Sequence, residues 1–411
     1  MVDKKILNDP VHGFINVLSE HLFPLIEHPY IQRLRRIKQL GLTCFVYQGA
    51  LHTRLQHTLG ATHLMNLAIE VLRSKGVEIT EEESNATQYA ILLHDVGHGP
   101  FSHALEHSIL SNISHEIVST KIMEHLNIQM EGKLDLAIRI FNNQYHKPFL
   151  HQLISSHLDV DRLDYLKRDS FFTGVSEGII GTERIIKMLY VYNNHLVVEA
   201  KGLHSIENYL ISRKLMYLQV YLHKTVIAAE QMLVKAIQRA KHLEQQGIAV
   251  ESAPVLSFFL KNDIQEQDLL SPIKFNNRTM TVLDIFALLD DNDIFSSLKQ
   301  WSFHSDSVLS DLSSRLLNRR LFKIKLKKEP FDTYEVETLK ATLPYDDNEL
   351  NYYFIQGKTK LTTEAQPEIQ IYYNDNKVLP LSEVTDIINT DLFSRTDVRH
   401  YLCYPKQYEE S

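Results

Sequence analysis

Apolar residues recur along the first half of the chain at three- and four-residue spacing, the period of one buried helix face. Ile31, Leu34, Ile37 and Leu40 keep that spacing and Gly41 follows, which predicts an amphipathic helix over 31–40 with a basic outer face. A second helix is predicted from about Thr53 to Lys75, carrying Leu55, Leu59, Leu64, Leu67, Ile69, Val71 and Leu72 and stopped by Gly76. A third spans roughly Thr80 to His94 behind a Thr80–Glu83 capping box. Helical segments are also expected near 102–110, 115–127, 133–144, 148–157 and 160–172. Before residue 189 the only extended piece expected is a short one among turns around Asp9-Pro10 and Gly13, and no strand is predicted there.

At 189–200 the pattern changes to LYVYNNHLVVEA, two β-rich runs about Asn193-Asn194. Asparagine tolerates the left-handed region, so this reads as a hairpin. From Leu203 to Gln246 the chain is apolar at helical spacing without Gly or Pro, which predicts one long helix or two abutting ones. Beyond it, helical stretches at about 278–300 and 306–320 mix with the strand-like runs FKIKL, NYYFIQ and EIQIYY. The expected fold is mainly α. A helical core with a small β-hairpin excursion occupies 1–247, and a smaller α+β region over 248–411 is expected to serve packing or oligomerisation.

Composition narrows the function classes. A length of 411 residues allows two or three domains, and 44% apolar with 23% charged residues is ordinary globular usage. The net charge of −8 gives no global attraction to nucleic acid or to an anionic membrane, so neither is an expected partner. No apolar run reaches membrane-spanning length, and Cys44 and Cys403 form no disulfide framework; both point to a reducing cytoplasm. There is no GxxxxGK[ST] loop, no GxGxxG after a strand and no GxSxG elbow. Histidine stands out: there are 21, and 15 lie between His12 and His157.

The strongest local signal is HDVGHGPFSH at 94–103. His94 and Asp95 offer an imidazole and a carboxylate side by side, a mixed N/O pair suited to Mg, Mn, Fe or Zn. Two adjacent ligands need partners, and His57 in HTRLQH and Asp161 in DVDRLDYLKRD are the candidates. The set His57, His94, Asp95 and Asp161 would leave positions open for water and a phosphate oxygen. Singly, each piece has an ordinary reading: a His-Asp pair at a helix end is commonly a hydrogen-bonded core pair, and DRLDYLKRD is commonly a solvated face. The Gly97-His98-Gly99-Pro100 stretch after the pair is costly in a helical protein unless backbone must approach something closely.

NDPVHG at 8–13, QRLRRIKQLG at 32–41, HTRLQHTLG at 52–60, HDVGHGPFSH at 94–103, His115-Glu116 and DVDRLDYLKRD at 159–169 occur in one order. In that order the chain resembles the HD-domain deoxynucleoside triphosphate triphosphohydrolases over roughly residues 5–240. The resemblance implies an HD-domain core in which a divalent metal, with Mn, Mg and Fe ahead of Zn and Ni, sits on His57, His94, Asp95 and Asp161. It assigns acid–base work to His98, His103 and His115, with Glu116 orienting its neighbour and Glu106 standing where the family has an Asp beside the His103 acid. The implied substrate is a dNTP. Arg54, Arg162, Arg213, His223 and Lys224 fall at phosphate positions, with Tyr221 inside the same Tyr-x-His-Lys run. Gln39, Leu40, Tyr165 and Asp169 fall at sugar positions, Tyr165 leaving no room for a 2′-hydroxyl. Lys5, Ile6, Gln32 and Arg35 match a regulatory nucleotide site that assembles some relatives, with Glu27 where a guanine-reading Asp would stand. A homodimer or homotetramer and an activating nucleotide are therefore expected. Two alternatives keep the same residues: hydrolysis of a nucleoside monophosphate or cyclic nucleotide, and a catalytically weak nucleotide-binding regulator.

Overall fold

A computed structural model describes residues 5–17, 21–110, 113–361, 368–388 and 397–406, with only the backbone of Lys5, Asn16, Val17, His103, His107, Lys360, Leu361 and Asp397. The fold is mainly α, with small sheets at its edges. Its centre is a bundle in which the Arg54–Ser74 helix packs against the Glu81–Leu93 and Val160–Thr173 helices. Both capping boxes at its entry points form: Thr53 with Gln56, and Thr80 with Glu83. Asp159 caps the Val160–Thr173 helix by accepting from the Arg162 amide at 2.7 Å.

The segment 31–40 is not one helix. A single turn, Pro29–Gln32, runs into a tight 3-10 turn, Arg33–Arg36, and Ile37 is extended. Lys38 then pairs with Thr53 as an isolated bridge, and Arg54 donates its amide to the Ile37 carbonyl at 3.0 Å. That pairing diverts the chain and brings Gln39 and Leu40 over the central bundle. The N-terminus also holds a hairpin where none was expected, Lys5–Asp9 against Gly13–Val17, closed by Asp9 accepting from the Val11 and His12 amides.

The hairpin expected at 189–200 is present, with Asn193 and Asn194 both at positive φ. It grows to four strands because Gln370–Tyr372 adds parallel to His195–Glu199 and Val378–Pro380 pairs with Gln370–Tyr372. The apolar run after Leu203 is two abutting helices, Leu203–Met216 and Lys224–Gln245, joined by a π turn over Tyr217–Tyr221. The helical run expected at 278–300 is instead a hairpin ending at Thr281, turned by Asn276-Asn277 at positive φ, a short helix Val282–Phe286, and the Asp291–Trp301 helix capped by Asp290. Lys323–Lys327, Asp397–Tyr404 and Ile355–Leu361 make a three-stranded antiparallel sheet. One hydrophobic core extends from Ile15 to Cys403, so the region after 247 is packed into the same interior as the bundle. Among the described residues no helix is long and apolar enough to cross a membrane.

Candidate active site

Three donor atoms converge at the bundle's centre. His57 stands one turn into the Arg54–Ser74 helix, His94 closes the Glu81–Leu93 helix, and Asp161 lies in the first turn of Val160–Thr173. His57 Nε2 is 3.0 Å from Asp161 Oδ1 and 3.4 Å from His94 Nε2, and His94 Nε2 is 3.3 Å from Asp161 Oδ1. Asp95 flanks them, with Oδ1 3.3 Å from His94 Nε2 and Oδ2 3.8 Å from His57 Nε2.

The tautomers follow from the second set of contacts. His94 Nδ1 is 2.6 Å from the Ile91 carbonyl, which can only accept, so Nδ1 carries the proton. His57 Nδ1 is 2.8 Å from Asp164, whose carboxyl is held well below its usual range: burial raises it, but Arg168, His12 and His57 outweigh that. Both Nε2 lone pairs therefore point at Asp161 Oδ1. Three acceptors at this spacing repel unless a cation lies among them, and without one a proton is held there instead. Burial lowers His57, yet Asp161 and Asp164 drive it up to about 10. The donor set, two imidazoles and carboxylate oxygen without thiolate, fits a divalent ion of the Mn, Fe, Mg or Zn kind.

The surroundings of this cluster were less legible. Asp164 is fully buried and accepts from His12 at 2.7 Å and from Arg168 through Nε and a terminal nitrogen, both at 2.9 Å. Arg168 also donates to Asp9 at 2.8 Å, which ties the N-terminal hairpin to the site. A Cβ at Gly60 would fall 2.0 Å from Asp164 Oδ1, so glycine is what lets the two helices close over this pair. The signal was available: Asp161, Asp164, Tyr165 and Arg168 recur at three and four and share one helix face. Ser119 was missed too. Its hydroxyl donates to the His94 carbonyl and accepts from the Gly97 amide, both at 2.9 Å, and a Cβ on Gly97 would meet the His115 carbonyl at 2.2 Å. Close backbone approach is thus what the glycine of this turn permits.

Beside Asp95, the rings of His98 and His115 stack at 3.9 Å and 16°. His98 Nε2 is 3.3 Å from Asp95 Oδ1, and burial, then Arg54, holds its pKa well below the ordinary value, so it is neutral. His115 Nδ1 and its amide both meet Glu106 Oε1 at 2.7 Å. Burial raises the Glu106 carboxyl, but these bonds hold it at about 2. The carboxylate that orients His115 is therefore Glu106. The expectation that Glu116 does so is corrected: Glu116 is exposed, on the rim of the polar cavity that His115 lines. His103 lies on the Ser102–Ile109 helix, and its side chain is outside the described residues. Phe101, before that helix, is a buried non-glycine residue at φ 50°, a conformation that clusters at functional sites.

One cavity meets the cluster, and a second opens beyond Tyr165, whose ring centre lies 6.5 Å from that of His57. One, about 500 Å³, is polar and is lined by His94, Asp95, His115, Asp161, Arg162 and Lys121. The other, about 450 Å³, begins at Gln39, Leu40, Tyr165, Asp169 and Tyr221. Asp169 accepts from Tyr221 at 2.8 Å and meets His52 Nε2 at 2.7 Å, while Gln39 Oε1 is buried without a partner among the described residues. The cations spread out. Arg54 is buried and donates to Asp95 at 2.7 Å, Arg162 pairs with Asp159, and Arg213 lies 6.0 Å from the Tyr217 ring centre. His223 caps the Lys224–Gln245 helix, and Lys224 is exposed at its start. Gln32 and Arg35 hydrogen-bond each other at 2.7 Å on the surface, Gln32 also donates to the Ile26 carbonyl, and Ile6 and Glu27 are exposed; the Lys5 side chain is outside the described residues.

Residues 54–169 match the HD domain family, and residues 180–253 match the HD associated region. A protein of Bacillus subtilis, YwfO, is 33% identical over 328 residues, covering 78% of this chain and 72% of its own. The chain belongs to the HD-domain phosphohydrolase family. Within it, a relative from Dictyostelium discoideum named as a deoxynucleoside triphosphate triphosphohydrolase SAMHD1 homolog is 30% identical over 255 residues; the match covers 57% of this chain and about half, 49%, of that relative. The crystal structure of a phosphohydrolase from Bacteroides thetaiotaomicron superposes with a TM-score of 0.91 at 47% identity, over 98% of this HD-domain phosphohydrolase and 100% of that chain.

Proposed function

We propose that this HD-domain phosphohydrolase cleaves dNTPs to deoxynucleoside and inorganic triphosphate. The observation that carries the reading is one cluster able to hold a metal, His57, His94 and Asp161, which opens on a polar cavity through His94 and Asp161 and lies beside Tyr165, a residue that lines a second cavity together with Asp169. A divalent ion held there would supply Lewis-acid polarisation of a phosphate oxygen. In this reading the α-phosphate lies at the cluster, the sugar lies against Tyr165 and Asp169, and the charged phosphates lie toward Arg162, Arg213, His223 and Lys224. Burial raises the Asp95 carboxyl, but His94, His98 and then Arg54, which donates to it at 2.7 Å, hold it well below its usual range. Water attacks the α-phosphorus, the bond from phosphorus to the 5′-oxygen breaks, and that oxygen takes a proton from His103. In this reading the attacking water gives up its proton to His115, held by Glu106, or to neutral His98. A nucleotide at Gln32 and Arg35 would act as an activator, joining copies of the chain into a homodimer or homotetramer in the cytoplasm.

The test is a product-resolved panel of four dNTPs and four NTPs with Mn²⁺, Mg²⁺ or Fe²⁺, with and without a second nucleotide. Deoxynucleoside and triphosphate are the expected products. Orthophosphate release, or a nucleoside monophosphate with pyrophosphate, overturns the reading.

A further inference from the structure

The second cavity extends past the sugar-facing residues. Its far end is built from parts remote in sequence: Glu230 and Gln231 on the Lys224–Gln245 helix, Lys358 and Thr359 on the Ile355–Leu361 strand, and Tyr401 on the Asp397–Tyr404 strand. Glu230 lies nine residues beyond Tyr221 and about two helical turns into its helix, so it stands well away from the metal cluster. Two features show that this end is made to meet polar groups. Thr359 Oγ1 is buried without a hydrogen-bond partner among the described residues, as is Gln39 Oε1 in the same cavity. Glu230 faces the space with no ion pair among the described residues, and burial alone raises its carboxyl to about 7.

Resting on the nucleotide reading above, we propose that the C-terminal sheet and Glu230 form the base-reading end of the substrate cavity, and that they select guanine. If the 5′ end of the sugar lies at the metal cluster, the base falls at this far end. Among the four bases only guanine offers two adjacent donors, N1–H and the N2 amino group, which match the two oxygens of one carboxylate. Lys358 supplies a donor for guanine O6 from the neighbouring strand. Above about pH 7, where Glu230 is ionised, adenine would present an acceptor at N1 to the carboxylate, and thymine or cytosine has one donor at most on that edge. A buried group built to meet such hydrogen bonds rejects bases that leave it unpaired. The base preference therefore comes from residues beyond position 224, outside the metal-binding bundle.

The test measures kcat/KM of the full chain on the four dNTPs for wild type, Glu230→Gln and Lys358→Met, with folding checked by circular dichroism, and calorimetric binding of the four deoxynucleosides to the same proteins. Wild type is expected to favour dGTP at least tenfold, and each substitution is expected to cut the dGTP to dTTP ratio at least fivefold. Deoxyguanosine binding should weaken in parallel. A flat base profile, a profile that neither substitution moves, or a dATP preference overturns the proposal. Should Glu230→Gln fail to fold, Lys358→Met and the wild-type deoxynucleoside series decide it. If no dNTP yields triphosphate, the reaction reading fails, while base selection is still judged by which deoxynucleoside binds.

Discussion

Asp164 lines neither of the two cavities at the site, yet it decides which nitrogens of the cluster would face an ion. It accepts from His57 Nδ1, His12 and Arg168 at 2.7–2.9 Å while fully buried. Second contacts of this kind fix a ligand's tautomer and typically carry about 10–100-fold in metal affinity. Asp164→Ala should therefore weaken Mn²⁺ binding by that factor in a calorimetric titration. It also leaves Arg168 deep in the core with Asp9 as its remaining partner, a loss of about 3–5 kcal/mol on the scale of broken buried pairs, readable from urea unfolding. Unchanged Mn²⁺ affinity in a folded variant would rule out this role. Glu106 makes the contrasting case, since it acts on His115 and not on a ligand. Glu106→Gln should keep Mn²⁺ affinity and lower kcat by about tenfold to a hundredfold, less than the ~10²–10⁴ of losing an acid–base group outright. A kcat equal to wild type would leave the His115–Glu106 contact without a catalytic part.

Helices with a cap and a long apolar stripe were the elements a reader of the sequence could place. Thr53–Gln56 and Thr80–Glu83 open helices as their letters indicate, and Asn193-Asn194 makes its turn. What misled was a regular apolar spacing whose backbone bonds go elsewhere: the Ile37 carbonyl accepts from the Arg54 amide and the Gln39 amide donates to the His52 carbonyl, a pairing no local window contains. The N-terminal hairpin escaped because its strands are five residues each and its loop is set by Asp9 accepting two amides. The converging donors His57 and His94 were legible because His94-Asp95 and His57 sit in dense histidine motifs, whereas Glu106 meets His115 across a segment whose geometry the letters do not carry. The Thr80–Glu83 box also yields a pH prediction. Glu83 is buried and its carboxyl accepts from the Thr80 amide at 2.9 Å, Tyr145 at 2.8 Å and Lys147 at 2.9 Å. Burial raises its pKa, but the Lys147 contact and the other bonds outweigh this and hold it below 4.5. The folded state thus binds the proton less tightly than the unfolded one, so the stabilisation is complete above about pH 5 and is lost as pH falls through the folded value. Glu83→Gln should cost about 1–3 kcal/mol at pH 7. The gap between the variant and wild-type urea midpoints should narrow toward pH 3, and a gap constant with pH would contradict the argument.

At the scale of the whole molecule, the two regions expected from sequence, 1–247 and 248–411, share one interior. The Lys224–Gln245 helix buries Met232, Leu233, Ala236 and Ile237, and it packs against the Ser307–Leu317 helix and the Lys323–Lys327 strand. Arg239 clamps Asp306 through two bonds at 3.0 and 2.5 Å, and Asp290 and Asp291 pair with Arg36 and Lys38 beside the turn that delivers Gln39. Arg33, wholly buried, donates to the Val96 carbonyl at 3.0 Å inside the His94–His98 turn, and its guanidinium lies 5.1 Å from the centre of the Phe286 ring. The C-terminal region therefore backs the His94–His98 turn through Arg33. Leu283, Leu298, Leu309, Leu312, Leu316 and Phe259 are each buried in the shared core. At about 1.5–3 kcal/mol apiece, these six contribute about 9–18 kcal/mol, as much as the whole net stability of about 5–15 kcal/mol typical of a folded protein. A fragment ending at residue 247 forgoes that contribution and leaves one face of its last helix bare. It should accordingly be insoluble or lack a cooperative unfolding transition, while the full chain unfolds in a single step by circular dichroism and by intrinsic fluorescence of its one tryptophan, Trp301, which lies in the shared core. A 1–247 fragment that unfolds cooperatively and binds Mn²⁺ with full affinity would show that the bundle carries its own core, and the C-terminal region would then be an appendage to the site, not its support.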